Sequence, residues 1–178
     1  MQDRKFISIS IALLTVSDTR GIEQDKSGDL LMKNIIDAGH KLRDRKIVKD
    51  DIHNIQTQVK SWLNDDEIEV IISTGGTGLT GRDVTPEAFK EIFDKEIEGF
   101  GELFRYLSYK KIGTSTIQSR ATAGVAKGKF IFALPGSTSA CKDAWDQILV
   151  HQLDFRHKPC NFVEIMPRLL EKGIGRKK

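Results

Sequence analysis

Residues 70–88, VIISTGGTGLTGRDVTPEA, constrain this chain more than any other segment. An apolar β-type run (Val70, Ile71, Ile72) stops at Ser73 and Thr74, and a turn containing Gly75, Gly76, Gly78 and Gly81 follows. Arg82-Asp83 and Thr85-Pro86 come next. A threonine hydroxyl can cap a helix by accepting a free N–H of the first turn, and proline suits the first helical position because no N–H is needed there. The segment therefore reads as strand, glycine loop and helix start, with Thr85 as cap and one carboxylate between loop and helix. Glycines let backbone N–H groups approach a phosphate, and a helix N-terminus favours negative charge. The first functional expectation is an anion site.

The chain has 178 residues, the size of one domain with a real core. We expect one domain over 1–170 and a basic tail over 171–178. With 28 Lys and Arg against 25 Asp and Glu, the net charge of +3 is too balanced for a nucleic-acid coat. Basic residues gather near the C-terminus (Arg156, His157, Lys158, Arg168, Lys172, Arg176), where a solvated surface is the simplest reading. Two cysteines, Cys141 and Cys160, make neither a disulfide framework nor a zinc site. No apolar run reaches the length of a membrane span, and the N-terminus lacks a signal-peptide pattern. These features predict a cytoplasmic, reduced protein.

Apolar alternation predicts a strand over 7–16, and a helix follows Ser27-Gly28 with Leu31, Ile35 and Ala38 on one face. A weaker strand covers 42–48, and Ile52, Ile55, Val59, Trp62 and Leu63 form a helical stripe. Strand 69–73 leads into the glycine loop, with helical material over 86–95 and 101–109. Residues 112–128, rich in Thr, Ser, Ala and Gly, fit no single pattern. Strand 129–134 and a helix carrying Ala140, Ala144, Trp145, Ile148 and Leu149 complete the series. Alternating strands and helices predict an α/β domain with a mostly parallel sheet, whose ligands bind beyond the strands' carboxyl ends. Loops 17–28, 74–83 and 135–139 leave such ends and can form one site.

Gly76 to Gly81 matches G-x-G-x-x-G, but Arg82 to Thr85 intervene before the helix and the next strand is distant. A Walker loop fails because no Gly-Lys-Ser/Thr follows. Asp83 is the leading chemical candidate, either as a helix-start partner or as a Mg²⁺ ligand, since Mg²⁺ takes one or two carboxylates plus phosphates and waters. Asp50 or Asp51 can supply a second carboxylate, with Asp18 and Asp25 as further candidates. Arg82 either opposes phosphate charge or pairs with a surface acid. The four histidines show no ligand spacing.

Ser73-Thr74-Gly75-Gly76-Thr77-Gly78 followed by Arg82-Asp83-Val84-Thr85-Pro86-Glu87-Ala88 resembles the MoaB/Mog family of molybdenum-cofactor biosynthesis. The resemblance continues at Leu14 through Arg20, at Gly99-Phe100-Gly101-Glu102, at Gly113-Thr114-Ser115 and at Ser119-Arg120-Ala121. It returns at Leu134-Pro135-Gly136-Ser137, and the last third is most similar to the MoaB branch. The resemblance implies a three-layer α/β/α domain assembling as a homotrimer or hexamer. It also implies Mg²⁺-dependent adenylyl transfer from ATP to molybdopterin, with a non-catalytic molybdopterin-binding or carrier protein as the alternative. By that motif Asp83 and Asp50 carry catalysis and Mg²⁺. Thr74, Gly75, Gly76, Thr77, Gly78 and Arg82 bind substrate, and Ser17, Ser115, Pro135, Gly136 and Ser137 complete the pocket. The adenylyltransferase branch often has a second proline after the proline-glycine pair, where this chain has Ser137-Thr138; the Arg82-Asp83 pair is intact.

Overall fold

The computed structural model describes residues 4–171, so most of the expected basic tail lies outside the described residues. Six strands form one sheet in the order β2-β1-β3-β6-β5-β4. They are β1 (Ser10–Val16), β2 (Lys41–Val48), β3 (Val70–Thr74), β4 (Lys95–Glu96), β5 (Thr122–Ala126) and β6 (Lys129–Leu134). β2, β1, β3 and β6 are mutually parallel, whereas β5 runs antiparallel to β6 and β4 antiparallel to β5. The mostly parallel sheet is the expected one.

Helices cover both faces, which explains the unbroken apolar runs of β1, β3 and β6. Ile11, Leu13, Val70, Ile72 and Phe132 face one layer, made by α1 (Lys26–Asp37), α4 (Glu98–Ile112) and α5 (Thr138–Ala144). The helix of α5 continues through a π-helical turn, Trp145–Leu149, into α6 (Val150–Gln152), and α7 (Phe162–Ile165) lies on the same core. Leu14, Ile71 and Ile131 face the other layer, where α2 (Ile52–Leu63) contributes Ile55, Val59 and Trp62 and α3 (Thr85–Lys90) contributes Phe89. This is the three-layer α/β/α arrangement.

Several boundaries move. β1 begins at Ser10 rather than residue 7, because Ile7 is exposed and only from Ile9 inward is the chain buried. α3 ends at Lys90, and the chain turns to form β4 instead of continuing as helix to 95. The unassigned stretch 112–128 holds a 3₁₀ segment, Gly113–Gln118, and then β5, joined to β6 by a two-residue hairpin. Both turn residues, Lys127 (φ 47°) and Gly128 (φ 76°), are left-handed, as a tight hairpin twist demands.

Candidate functional site

Parallel pairing places the carboxyl ends of β1, β2, β3 and β6 at one edge, where the three predicted loops meet. Ser17 N–H donates to Val48 O at 2.9 Å, and Gly75 N–H to Leu134 O at 3.0 Å. Gly75 has φ +104°, and a Cβ there would lie 2.1 Å from Val16 O, so only glycine fits. A Cβ on Gly136 would stand 3.3 Å from the Gly75 Cα. The buried Thr74 hydroxyl donates to Pro135 O at 2.9 Å and contacts the Cys141 Sγ at 3.1 Å. Burial pushes the Cys141 thiol up to about 11, so it stays a neutral wall group.

Thr85 does not cap α3. Val84 is the cap residue and provides no side-chain bond, while the buried Thr85 hydroxyl turns inward and donates to Gly75 O at 2.9 Å. Thr85 N–H donates to Gly76 O at 3.0 Å, so this residue stitches the glycine loop to the helix it precedes. A Cβ on Gly76 would lie 2.9 Å from Asp50 Oδ1, and one on Gly78 would lie 2.7 Å from Asp83 Oδ2. Asp50 and Asp83 therefore flank the glycine loop.

The candidate acids divide by environment. Asp51 caps α2, accepting Asn54 N–H at 2.9 Å, which leaves Asp50 as the acid beside the loop. Asp25 is fully buried at the start of α1 and bonds Gly28 N–H, the Thr15 hydroxyl and Arg45. Asp18 accepts Arg82 Nε at 2.9 Å and Nη2 at 2.6 Å, so Arg82 pairs with an acid. That hydrogen bond holds Asp18 below its ordinary value. Burial, together with the charges of Asp18 and Asp83, pushes Asp50 upward. Asp83 is lowered: partial burial opposes ionisation, but bonds from the Thr80 hydroxyl and the Thr80 and Gly78 N–H groups outweigh it.

No group of three His, Cys, Asp or Glu side chains suited to a metal occurs among the described residues. A two-carboxylate Mg²⁺ site is compatible with that, because substrate oxygens and waters fill the remaining positions. Asp50 Oδ1 and Asp83 Oδ2 both lie against the glycine loop, beside Gly76 and Gly78, so the pair fits the one or two carboxylates that Mg²⁺ takes.

The structure thus brings together Ser17, Asp50, Thr74, Gly75, Gly76, Thr77, Gly78, Arg82, Asp83, Pro135 and Gly136. Ser137 borders them and caps α5, accepting Ala140 N–H at 3.3 Å. Ser115 is exposed on the 3₁₀ segment, and among the described residues no hydrogen bond joins it to the glycine loop. Arg120 is a residue the sequence reading left without a role. Its Nε donates to Gly78 O at 2.7 Å, Nη2 to Asp83 O at 2.6 Å, Nη1 pairs with Glu87, and its N–H donates to Thr77 O at 3.0 Å. It clamps the loop that carries Asp83; its place in the Ser119-Arg120-Ala121 segment was the one available signal.

A family model described as a probable molybdopterin binding domain matches residues 6–154. Molybdenum cofactor biosynthesis protein B of Escherichia coli K12 is 53% identical over 158 residues, covering 89% of this chain and 93% of that protein. The protein of that name from Staphylococcus epidermidis is 48% identical, covering 82% and 85%. A crystal structure of molybdenum cofactor biosynthesis protein B superposes with TM-score 0.82 at 42% identity, covering 84% of this chain and 94% of that one. The tungsten cofactor synthesizing protein MoaB from Pyrococcus furiosus gives 0.69 at 38% identity, covering 80% and 91%. No helix of the described residues is long and apolar enough to cross a membrane. With its fold and most of its length shared with these proteins, the chain belongs to the molybdenum cofactor biosynthesis family of molybdopterin-binding domains.

Proposed function

We propose that this protein transfers the adenylyl group of ATP to molybdopterin. A terminal phosphate oxygen of molybdopterin bonds to the ATP α-phosphorus, the bond from that phosphorus to the β-phosphate oxygen breaks, and pyrophosphate leaves. The observation that carries the reading is the placement of Asp50 and Asp83 on either side of Gly76–Gly78, at the edge where four parallel strands end. Two anionic reactants repel each other, and fixing them side by side turns a two-body encounter into a local step. The glycine loop offers backbone without Cβ obstruction; Thr85, Arg120 and Gly136 hold its shape. Mg²⁺, which Asp50 and Asp83 would hold, supplies charge neutralisation to the facing phosphates when bound. Neither acid is needed as a base, since a phosphate oxygen near neutral pH is already ionised.

A second reading, a molybdopterin-binding or carrier protein without transfer activity, is favoured by one feature. Asp83 Oδ2 already accepts both the N–H and the hydroxyl of Thr80, as a purely structural loop brace would. Incubation with molybdopterin, ATP labelled at the α-phosphate and Mg²⁺ separates the two. Labelled adenylylated molybdopterin supports transfer, whereas retained molybdopterin without labelled product establishes the binding reading. Self-association as a trimer or hexamer and a cytoplasmic location belong to the same proposal. The exposed Tyr106, Tyr109, Ile112 and Ile117 on α4 and the segment after it support association, and light scattering tests it.

A further inference from the structure

Two arginines stand at the rim of the glycine loop, and they are held in opposite ways. Arg82 gives both Nε and Nη2 to Asp18 Oδ2, so the planar edge that matches a phosphate is already occupied by a carboxylate. Arg20 forms no ion pair among the described residues. Its Nη1 donates to Gly136 O at 3.1 Å and to Ser27 Oγ at 3.3 Å. Among the described residues the Nε and Nη2 edge has no hydrogen-bond partner, and the side chain is exposed.

The mount beneath Arg20 is built from buried groups. Ser27, 1% exposed, donates through Oγ to Asp25 Oδ1 at 3.2 Å, and Asp25, 0% exposed, pairs with Arg45 at 2.8 Å. Ser17 fixes the backbone from the other side, its Oγ accepting the Arg20 N–H at 3.2 Å. Arg20 is thereby anchored to the β1 loop, to α1 and to the proline-glycine loop after β6. Gly136, which accepts its guanidinium, borders Gly75. The three acids Asp18, Asp50 and Asp83 influence one another and Arg82 pairs with the first, whereas Arg20 is bonded to Gly136 O and pairs with none of them.

We propose that Arg20, and not Arg82, is the arginine that binds the anionic ligand here, its free Nε and Nη2 edge taking a phosphate that lies over Gly75 and Gly136. Ser17 and Ser27 then act on the ligand only through Arg20, by setting where its guanidinium points. The assignment rests on the phosphate-site reading above and adds the residue and the end of the loop at which the phosphate is held. A guanidinium already locked by one nitrogen loses little further freedom when its other edge is used, which is how a preorganised group gains affinity.

Calorimetric titration of the whole protein with inorganic tripolyphosphate in the presence of Mg²⁺ tests this, using wild type, Arg20→Gln, Arg20→Lys and Arg82→Gln. We expect Arg20→Gln to weaken binding about 10- to 100-fold, as loss of a charge-assisted pair of hydrogen bonds does. Arg20→Lys regains part of the loss because it restores charge without the fork. Arg82→Gln changes affinity less than about threefold, since it removes an exposed ion pair. Equal binding by Arg20→Gln and wild type, or a larger loss in Arg82→Gln, overturns the assignment while leaving the phosphate site itself standing. Weakening in Arg20→Gln with no recovery in Arg20→Lys and a markedly lowered melting temperature also overturns it, in favour of a loop staple. Absence of tripolyphosphate binding by the wild type removes the phosphate-site reading and this assignment with it.

Discussion

Two acid-arginine arrangements lie close together at the end of the sheet, and they differ in everything but residue type. In the floor pair Asp25 is fully buried and Arg45 partly so, and Asp25 also takes the Thr15 hydroxyl, the Ser27 hydroxyl and the Gly28 N–H. The rim has three acids, Asp18, Asp50 and Asp83, with Arg82 committed to the first of them. At the floor, hydrogen bonds overcome burial and hold Asp25 below its ordinary value; at the rim, burial and neighbouring acids push Asp50 above it. The fully buried Asp25 spends its carboxylate oxygens on protein donors, which makes it costly to remove and leaves it no capacity for a ligand. Of the three rim acids, Asp18 and Asp83 are held down by their hydrogen bonds and only Asp50 is pushed upward, so Asp50 is the one whose charged form a bound cation would favour most. The floor maintains the fold, and the rim is where the proposed ligand would bind.

The sharpest way to break that contrast is Asp25→Asn. It removes one of the two carboxylate partners of Arg45, Asp29 remaining at 2.7 Å. It also weakens the acceptor of the buried Thr15 and Ser27 hydroxyls, so the expected loss is about 1–3 kcal/mol in urea unfolding. Asp25 favours its charged form in the native state, so its contribution is complete above pH 3.8 and fades as pH falls through the lowered native value. The gap between wild type and Asp25→Asn should close over that acid range; a gap independent of pH would show that packing, not charge, is what Asp25 supplies.

Arg120→Met sits between floor and rim. It removes donors from Gly78 O and Asp83 O, each charge-assisted bond being worth about 1.5–3 kcal/mol when its acceptor stays dry. Both carbonyls can turn to water here, so the expected stability loss is nearer 1 kcal/mol. Hydrogen exchange at residues 77–83 should rise more than in the β1–β3 core. Uniform acceleration across the sheet would mean that Arg120 supports the fold and not the loop in particular.

The smallest effect is chemical. Cys141 is 0% exposed with its thiol raised to about 11, whereas Cys160 is exposed, so iodoacetamide at pH 8 should label Cys160 alone in the native protein. Early labelling of Cys141 would show that the wall beneath Thr74 and Pro135 opens in solution.

How far these regions could be read from the chain follows from where their partners lie. β1, β3 and β6 were legible as apolar runs because both faces of each are covered. β5, TAGVA, was not, because small residues make no pattern; its Gly124 is fixed by the Phe93 ring, 2.4 Å from where a Cβ would stand. The glycine loop and Asp83 could be read because glycine spacing and carboxylate position are local there. Residue pattern left Asp50 and Asp51 open, and only the family resemblance favoured Asp50, since its approach to Gly76 is tertiary. Thr85 was misread because the same hydroxyl can cap a helix or turn inward, and only the tertiary position of Gly75 O decides. Arg20 and Arg120 stood in segments that carry the family resemblance but had no assigned role, since their acceptors, Gly136 O and Gly78 O, lie 116 and 42 residues away.

Single-turnover formation of adenylylated molybdopterin by Asp83→Asn, beside wild type, tests the division of labour most directly. Asparagine keeps a side-chain oxygen for the Thr80 donors, so the variant should stay folded, its melting temperature lowered by no more than a few degrees. It should nonetheless form product about 100-fold more slowly, the cost expected if that charge faces the reacting phosphates. Wild-type turnover by Asp83→Asn would contradict the account, because the rim acid would then be no more than another brace of the fold.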